Sequence, residues 1–262
     1  MAIATYKLQV DWNDNGIWTD TGESINMARV RGIDCWRGRD QASQLTGRSI
    51  GGRFSAQVDN RSGDYNSFNT GSPIAGNLLP GKPMRLLATS VSQADKVLWR
   101  GFLRRIRPQP LLGGDNVVVF EGHGPLSQIN IKQLSLAMRT SETTDVTIGA
   151  ILDEVGWAAA DRTLGVGKTT LTRYWAERVQ PVFALQQVEA AEGGFIWEGK
   201  DGKLVVDNRH ARLAGAALTS QATFSDAAAA ARPYHAIQQF DPIDTLFNIF
   251  SAQVTIYTVQ AI

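Results

Sequence analysis

Short runs of alternating apolar and polar residues dominate the first half of the chain. Residues 6–10 alternate with a period of two, which is typical of a half-buried strand. Residues 65–83 show no periodicity and predict an ordered surface loop. Many short strands with intervening turns favour a β-barrel or a sandwich over a parallel α/β sheet. Further strands, separated by turns rich in Gly, Asn, Asp and Pro, are predicted at 29–36, 53–59, 83–88, 97–107 and 116–121.

The pattern changes to a helical period after residue 124. Apolar residues at i, i+3, i+4 and i+7 between 148 and 155 predict a helix that Asp145 caps and a following glycine ends. A second helix is predicted from Pro181 to Gly193, because proline is favoured at the first helical turn and glycine just past the end. A β-hairpin over 195–206 follows it.

These patterns together predict a mainly β protein with a small α+β unit in its middle. We place a β-barrel-like domain at 1–124 and an α+β domain with a helix-hairpin unit at 125–212. Residues 213–262 return to β-strands, which we expect from residue 247 onwards. No turn or capping signal follows these strands, so we expect a chain cut from something longer as readily as a terminal strand.

Composition restricts the classes of function. The chain has 262 residues, of which 43% are hydrophobic and 19% charged, which excludes disorder driven by charge. Its 26 basic and 25 acidic residues leave a net charge of +1, so we expect neither sequence-specific nucleic-acid binding nor a membrane partner. No secretion signal or membrane-spanning run is present, and Cys35 is the single cysteine. We therefore predict a soluble protein made in a reducing compartment.

One glycine-rich segment resembles part of a phosphate-binding loop. Residues 165–170 read Gly-Val-Gly-Lys-Thr-Thr, but the loop needs another glycine where this chain has Arg162. It also needs a buried strand in front of it, where this chain has alanines at 158–160. We therefore predict a glycine-rich turn and a strand through Leu171 and Tyr174, without a nucleotide site.

A second segment carries the first half of a calcium-loop pattern. Asp11, Asn13 and Asn15 stand at its alternate ligand positions, and a glycine follows. The twelfth position, which should supply a bidentate carboxylate, is Gly22, and Glu23 comes one residue later. Without that carboxylate a metal site would be weak, so we favour a hairpin turn stabilised by Asn and Asp side chains. We predict no bound metal and no cofactor.

The sequence also shows no recognisable catalytic motif. The three histidines are far apart in sequence, and no Gly-x-Ser-x-Gly nucleophile motif is present. Asp153, Glu189 and Glu192 lie on the predicted helices, where a solvated face is the ordinary interpretation. A glycosidase-like carboxylate pair stays open at this point, because such pairs are recognised by their distance in space. We predict that the chain is not an enzyme.

The densest basic cluster lies on one predicted strand. Alternation places Arg100 and Arg104 on one face together with Ile106, and Arg105 and Arg107 on the other. A charge split over two faces, without interleaved aromatic residues, favours a surface or subunit contact over nucleic-acid recognition.

Several turn and strand motifs occur in a fixed order over residues 6–210. Arg37-Gly38-Arg39 precedes a strand that ends in Asp59-Asn60-Arg61-Ser62-Gly63, and Ser72-Pro73 and Pro80-Gly81-Lys82-Pro83 follow it. This order resembles tail proteins of long-tailed bacteriophages. Residues 148–157 look like the next helix of those proteins. Residues 184–206 are similar to a helix-hairpin unit shared by the baseplate hubs of contractile tails and by type VI secretion spikes.

The resemblance implies a structural virion protein of the phage tail tip or baseplate. Such a hub forms a ring, here expected to be a homotrimer, which joins the tail tube to distal fibre or spike proteins. Its expected partners are further copies of itself, the tube or distal tail protein and the tape measure. Two alternatives are a hexameric distal tail ring protein and a tail-associated cell-wall hydrolase.

The resemblance also implies a second β-barrel, of which 213–262 would be the start. Ring assembly needs extended ordered loops that reach across subunit boundaries, and residues 65–83 fit that description. The candidate subunit-interface residues are Asn77, Leu78, Leu79, Pro80, Gly81, Arg104 and Arg105.

Overall fold

A computed structural model describes residues 5–38, 49, 51–90, 93–110 and 114–213. The described residues all belong to one compact unit. The strands expected from residue 247 and the start of a second barrel lie outside the described residues. The domain boundary at 124 stays a prediction.

The first part of the chain forms one seven-stranded antiparallel sheet. Across it the strands follow the order β2-β1-β5-β6-β7-β4-β3, and in the described residues no ladder joins β2 to β3 to close a barrel. The strands are β1 (Thr5–Val10), β2 (Ser24–Ile25), β3 (Val30–Trp36), β4 (Arg53–Asp59), β5 (Pro83–Ser90), β6 (Gln93–Gln109) and β7 (Val117–His123). The fold is mainly β, as the short alternating runs predict.

Alternation along the strands builds the core of this sheet. In β4, Phe54, Ala56 and Val58 are buried while their neighbours are half-buried or exposed. The ring of Trp99 packs on Phe54 with a centroid distance of 4.8 Å. Gly122 lies opposite Phe54 in the register of β7, and a Cβ there would press on Phe54 and Trp99. The glycine therefore makes room for the tryptophan.

The second part of the chain is the expected small α+β unit. It contains two small sheets, β10-β8 and β11-β12-β9, and β9 pairs parallel with β12. Its apolar core is a separate cluster that includes Leu134, Ile148, Leu185 and Ile196. The elements are α1 (Pro125–Ile129), β8 (Leu134–Thr143), α2 (Thr144–Glu154), β9 (Arg162–Leu164), β10 (Thr170–Val179), α3 (Pro181–Glu192), β11 (Phe195–Glu198) and β12 (Leu204–Asp207).

The helix boundaries agree with the predicted signals at three ends of four. Helix α3 starts at Pro181 and ends at Gly193, whose φ of 64° lies in the left-handed region. Helix α2 ends beside Gly156, with φ 70°. The prediction that Asp145 caps α2 is wrong, because the helix already begins at Thr144 and its N-cap is Thr143. Asp145 lies in the first turn of α2, where the positive end of the helix dipole stabilises a carboxylate.

Candidate functional site

The segment between β4 and β5, residues 60–82 (the turn loop), is a chain of consecutive turns. Backbone N–H groups donate to carbonyls three residues earlier over 2.9–3.2 Å, and the bonded positions are 60, 63, 66, 69, 72 and 75. Side chains reinforce the turns, since Asn66 and Asn69 each accept the N–H two residues on, at 3.1 Å. The expectation that this segment has no periodicity is therefore wrong. Its turn-forming residues repeat every three positions, and that repeat is visible in the sequence.

Two side chains anchor the turn loop in the core of the seven-stranded sheet. Tyr65 is buried and meets Phe120 edge-to-face at 5.1 Å, and Ile74 is buried in the same cluster. Phe68 and Leu79 point the other way and are 90% and 55% exposed. The loop is thus anchored in the core while it presents large apolar side chains to solvent.

The predicted interface residues at the end of the turn loop meet strand β6. Leu78 and Pro80 line a cleft of about 180 Å³ together with Arg105, Ile106 and Pro108. The N–H of Gly81 donates to the carbonyl of Leu103 over 2.6 Å, which holds this end of the loop against β6. Gly81 has a φ of 88°, and a Cβ there would meet no atom within 4 Å. Its backbone conformation, not lack of space, requires glycine.

The arginines of β6 do not divide over two faces, so that prediction is wrong. A β-bulge between Leu103 and Arg105 shifts the pairing with β7. Leu103 is buried in the core before the bulge, and Ile106 packs on the same core after it. Inward-facing positions therefore change from odd to even numbers at the bulge. All four arginines end on the exposed side: Arg100, Arg104, Arg105 and Arg107.

Two of these arginines lie close to one carboxylate, and a third lines a cleft beside it. The guanidinium of Arg107 lies 2.7 Å from the carboxylate of Glu121, and that of Arg105 lies 3.9 Å away. Arg104 lines a polar cleft of about 460 Å³ with Glu121 and His123. Of the predicted interface residues, Arg105 thus joins Leu78 and Pro80 at the first cleft, and Arg104 belongs to a second one.

Residues 11–23 (the acidic loop) connect β1 to β2. Asp11 is buried, and its two carboxylate oxygens accept the N–H groups of Asn15 at 3.1 Å and of Gly16 at 2.8 Å. The side-chain amides of Asn13 and Asn15 both donate to one oxygen of Asp20, at 3.1 and 2.8 Å. The expected turn is present, and Asp and Asn side chains stabilise it. No three His, Cys, Asp or Glu side chains of the described residues are arranged to hold a metal ion.

The segment that resembles a phosphate-binding loop does cradle an anion, but the anion is a side chain of this protein. The carboxylate of Glu192 accepts the N–H of Lys168 at 3.1 Å, the N–H of Thr169 at 2.9 Å and the hydroxyl of Thr144 at 2.6 Å. Burial alone would raise the pKa of Glu192, but these hydrogen bonds outweigh it and lower the pKa. A Cβ at Gly167 would overlap Thr144, which explains the glycine. The structure thus supports a turn at 165–170 whose amides already hold Glu192.

The other helical carboxylates do not form a catalytic pair with it. The carboxylate of Glu189 accepts the N–H of Ile196 at 2.6 Å, inside the α+β unit. Asp153 is exposed, and its carboxylate lies 2.5 Å from the guanidinium of Arg162. The solvated-face interpretation holds for Asp153 and is wrong for Glu189 and Glu192, because both are buried.

A fourth carboxylate, Glu198 at the end of β11, was not singled out by any sequence motif. It is buried and accepts the N–H of Gly52 at 2.6 Å and the N–H of Leu126 at 2.7 Å. Burial raises its pKa to about 7, although the two N–H groups lower it. A Cβ at Gly124 would overlap the carboxylate. Glu198 thus ties β11 to the entry of β4 and to α1.

Two solved structures have a similar fold over most of this chain. One is the 43 kDa tail protein of prophage MuSo2 from Shewanella oneidensis, with a TM-score of 0.50, 11% identity, and 78% of this chain and 54% of that chain covered. The other is the tail protein from Neisseria meningitidis MC58, with a TM-score of 0.50, 13% identity, and 77% and 50% covered. The chain has the fold of phage tail proteins.

The likeness to phage tail proteins is one of fold. An Escherichia coli component of the type VI secretion system is also similar, with a TM-score of 0.46, 12% identity, and 76% of this chain and 48% of that chain covered. This chain spans about half the length of the two tail proteins. No protein-family model and no curated protein matches the sequence. In the described residues no helix is both long and apolar enough to cross a membrane.

Proposed function

We propose that this protein is a structural component of a phage tail tip or baseplate. In the virion it forms a homotrimeric ring that joins the tail tube to distal fibre or spike proteins. The observation that carries the proposal is the fold, which more than three quarters of the chain shares with two tail proteins. Its partners are then other copies of itself and neighbouring tail proteins.

The surface of the turn loop supports a role in assembly. Phe68 and Leu79 expose apolar area on a segment that Tyr65 and Ile74 anchor in the core. A rigid segment loses little conformational entropy when it binds, and exposed aromatic and aliphatic side chains supply the apolar area that interfaces use. The cleft beside Arg105 adds a charged rim to this surface.

The contacts of the buried carboxylates favour a structural role over a catalytic one. Glu189, Glu192 and Glu198 accept backbone N–H groups that fold the α+β unit, so they are held as structural acceptors. A glycosidase needs two carboxyl groups facing a common cleft. The arrangement therefore favours the ring subunit over the cell-wall hydrolase.

The number of subunits in the purified full-length protein tests the proposal. We expect three copies by native mass spectrometry and a three-fold ring in electron micrographs. Six copies would favour the hexameric distal tail ring protein. A protein that stays monomeric at high concentration and is absent from tails, or that clears host cell walls, would overturn the proposal.

Surface variants test where the subunits meet. Leu79→Ser and Phe68→Ser should weaken the ring with little effect on the melting temperature, because both side chains are mostly exposed in the single subunit. Ile131→Ser is the matched control, since Ile131 is 72% exposed but lies outside the turn loop. If Ile131→Ser weakens assembly as much as the two loop variants, the turn loop is not the contact.

A further inference from the structure

A row of three polar residues crosses the seven-stranded sheet on the face opposite its core. Gln9 of β1 lies opposite Arg85 of β5, and Arg85 lies opposite Arg100 of β6. Their neighbours along the strands, such as Leu8 and Met84, are buried in the core. Like charges directly opposite each other on adjacent strands are destabilising. Burial and the charge of Arg100 both lower the pKa of Arg85, as expected for two guanidinium groups that lie close together.

Specific contacts hold Arg85 in one orientation. Its guanidinium carbon lies 4.3 Å from the ring centre of Trp18, and that of Arg100 lies 5.8 Å from the same ring. Nε of Arg85 donates to the side-chain oxygen of Gln9 over 2.9 Å. Gln9 is only 6% exposed, and its amide also donates to the carbonyl of Trp18 over 2.8 Å. Gln9 thus fixes both the arginine and the aromatic ring on which it stacks.

The turn between β11 and β12 packs on the stem of Arg100. A Cβ at Gly202, in this turn, would lie 3.1–3.3 Å from three side-chain carbons of Arg100. The same turn contains two basic residues, Lys200 and Lys203. Its one acid is Asp201, whose carboxylate accepts the N–H of Lys203 at 3.3 Å. The turn therefore adds net positive charge close to Arg100.

No carboxylate of the described residues forms an ion pair with Arg85 or Arg100. The charge of Asp95 acts on Arg85, but its carboxylate pairs with Lys7 at 3.0 Å. Because Arg85 uses Nε to bind Gln9, its two terminal nitrogens are left as a fork of N–H donors. The two arginines are thus held in place, repel each other and lack a counter-ion in the described part of the chain.

We propose that Arg85 and Arg100 bind a carboxylate of a second protein, an aspartate or glutamate side chain of a neighbouring tail protein. Guanidinium groups bind carboxylates through two parallel hydrogen bonds, and an anion between the two arginines would remove their repulsion. A protein side chain fits better than a nucleic acid, because the acidic loop that carries Trp18 also carries Asp14 and Asp20 and would repel a run of phosphates. The identity of the partner rests on the proposed function, whereas the anion site does not.

Binding of glutarate to the full-length protein tests the site, since one end of glutarate has the atoms of a glutamate side chain. Sodium chloride keeps the ionic strength constant, so that general screening is the same with and without the ligand. With a dissociation constant on the order of 5 mM, about 50 mM glutarate at pH 7 should raise the melting temperature by about 3–6 °C. A short oligothymidylate is the comparison ligand, and we expect a smaller shift from it.

Two variants separate an anion site from arginines that only support the fold. Arg85→Gln and Arg100→Gln should each abolish the shift caused by glutarate. Without glutarate, Arg100→Gln should melt at or above the wild-type temperature, because the repulsion is gone. An arginine with a structural role would instead lower the melting temperature when it is replaced. Arg173→Gln is the matched control that retains the response, since Arg173 is exposed and has no ion pair among the described residues.

Three results would overturn the proposal. The first is a wild-type protein whose melting temperature does not change with glutarate at constant ionic strength, and the second is an Arg100→Gln variant that responds as the wild type does. The third is a larger shift with oligothymidylate than with glutarate, which would exclude a protein carboxylate as the preferred ligand. None of these results depends on the number of subunits, so the anion site and the proposed ring fail separately.

Discussion

The pH dependence of stability should report on Glu198, the buried carboxylate that ties β11 to β4 and α1. Its pKa lies at about 7 in the folded protein against an ordinary value of 4.5, because burial disfavours the charged form. The folded protein therefore holds this proton more tightly than the unfolded chain does. Its contribution to stability is fully present below pH 4.5 and is lost as the pH rises to about 7.

The size of the effect follows from the two pKa values. Each pKa unit between the folded and unfolded states corresponds to about 1.4 kcal/mol, so the change between pH 4.5 and 8 amounts to about 3 kcal/mol. The side chain is only 2% exposed, so screening by solvent does not reduce this figure substantially. A protein of this size should lose about 6–12 °C in melting temperature over that range from this group.

The assay compares Glu198→Gln with the wild type by chemical denaturation at several pH values between 4.5 and 8. Glutamine cannot ionise and can accept only one of the two N–H groups, so the variant carries a constant loss of about 1–3 kcal/mol. The wild type should lose about 3 kcal/mol relative to the variant as the pH rises. Other titrating groups cancel in this difference.

The control is Glu154→Gln, at an exposed position of α2. Its free energy of unfolding should follow the wild type at every pH, within about 0.5 kcal/mol. The reasoning fails if the difference between wild type and Glu198→Gln stays constant over the whole range. That result would mean that the carboxylate is already ionised, or hydrated, in the folded protein.

Three further substitutions test the packing by chemical denaturation. Tyr65→Ala should lower the free energy of unfolding by about 3–5 kcal/mol, and Phe68→Ala by no more than about 0.5 kcal/mol. Equal losses of stability would mean that Tyr65 does not anchor the loop. Glu192→Ala should cost about 3 kcal/mol by leaving buried N–H groups unpaired, and an unchanged stability would show that water replaces it. Gly81→Val should cost about 1–2 kcal/mol, because residue 81 has a left-handed backbone conformation. Gly32→Val is the control that should be tolerated, since a Cβ there meets no atom within 4 Å. An unchanged stability of Gly81→Val would contradict the argument from backbone conformation.

Local patterns predict the elements whose conformation is decided by their own residues. Strand β4 occupies the predicted residues 53–59, because a period of two both favours extended backbone and buries one face. Helix α3 runs between its predicted proline and glycine, since both act through their own backbone angles. The short strand β9 was missed, because a three-residue strand has too few positions to show a period.

The predictions from the sequence were wrong where a β-bulge or a three-residue repeat replaces the simple alternation of buried and exposed positions. The β-bulge before Arg105 puts all four arginines on one face, and no local signal in the sequence marks it. The three-residue repeat of the turn loop was visible in the sequence, but its period belongs neither to a helix nor to a strand. Both features affect the predicted interface, so its layout could not be derived from alternation alone.

The sequence alone determined that this chain is mainly β with a small α+β unit, because alternation, turn residues and helix ends act over a few neighbouring positions. Only the tertiary structure decided what the buried acids do. Glu198 reaches amides 146 and 72 residues away, and Glu192 reaches one 23 residues away. Whether a carboxylate is solvated, cradled or left unpaired depends on which distant segments surround it, and no spacing along the chain encodes that.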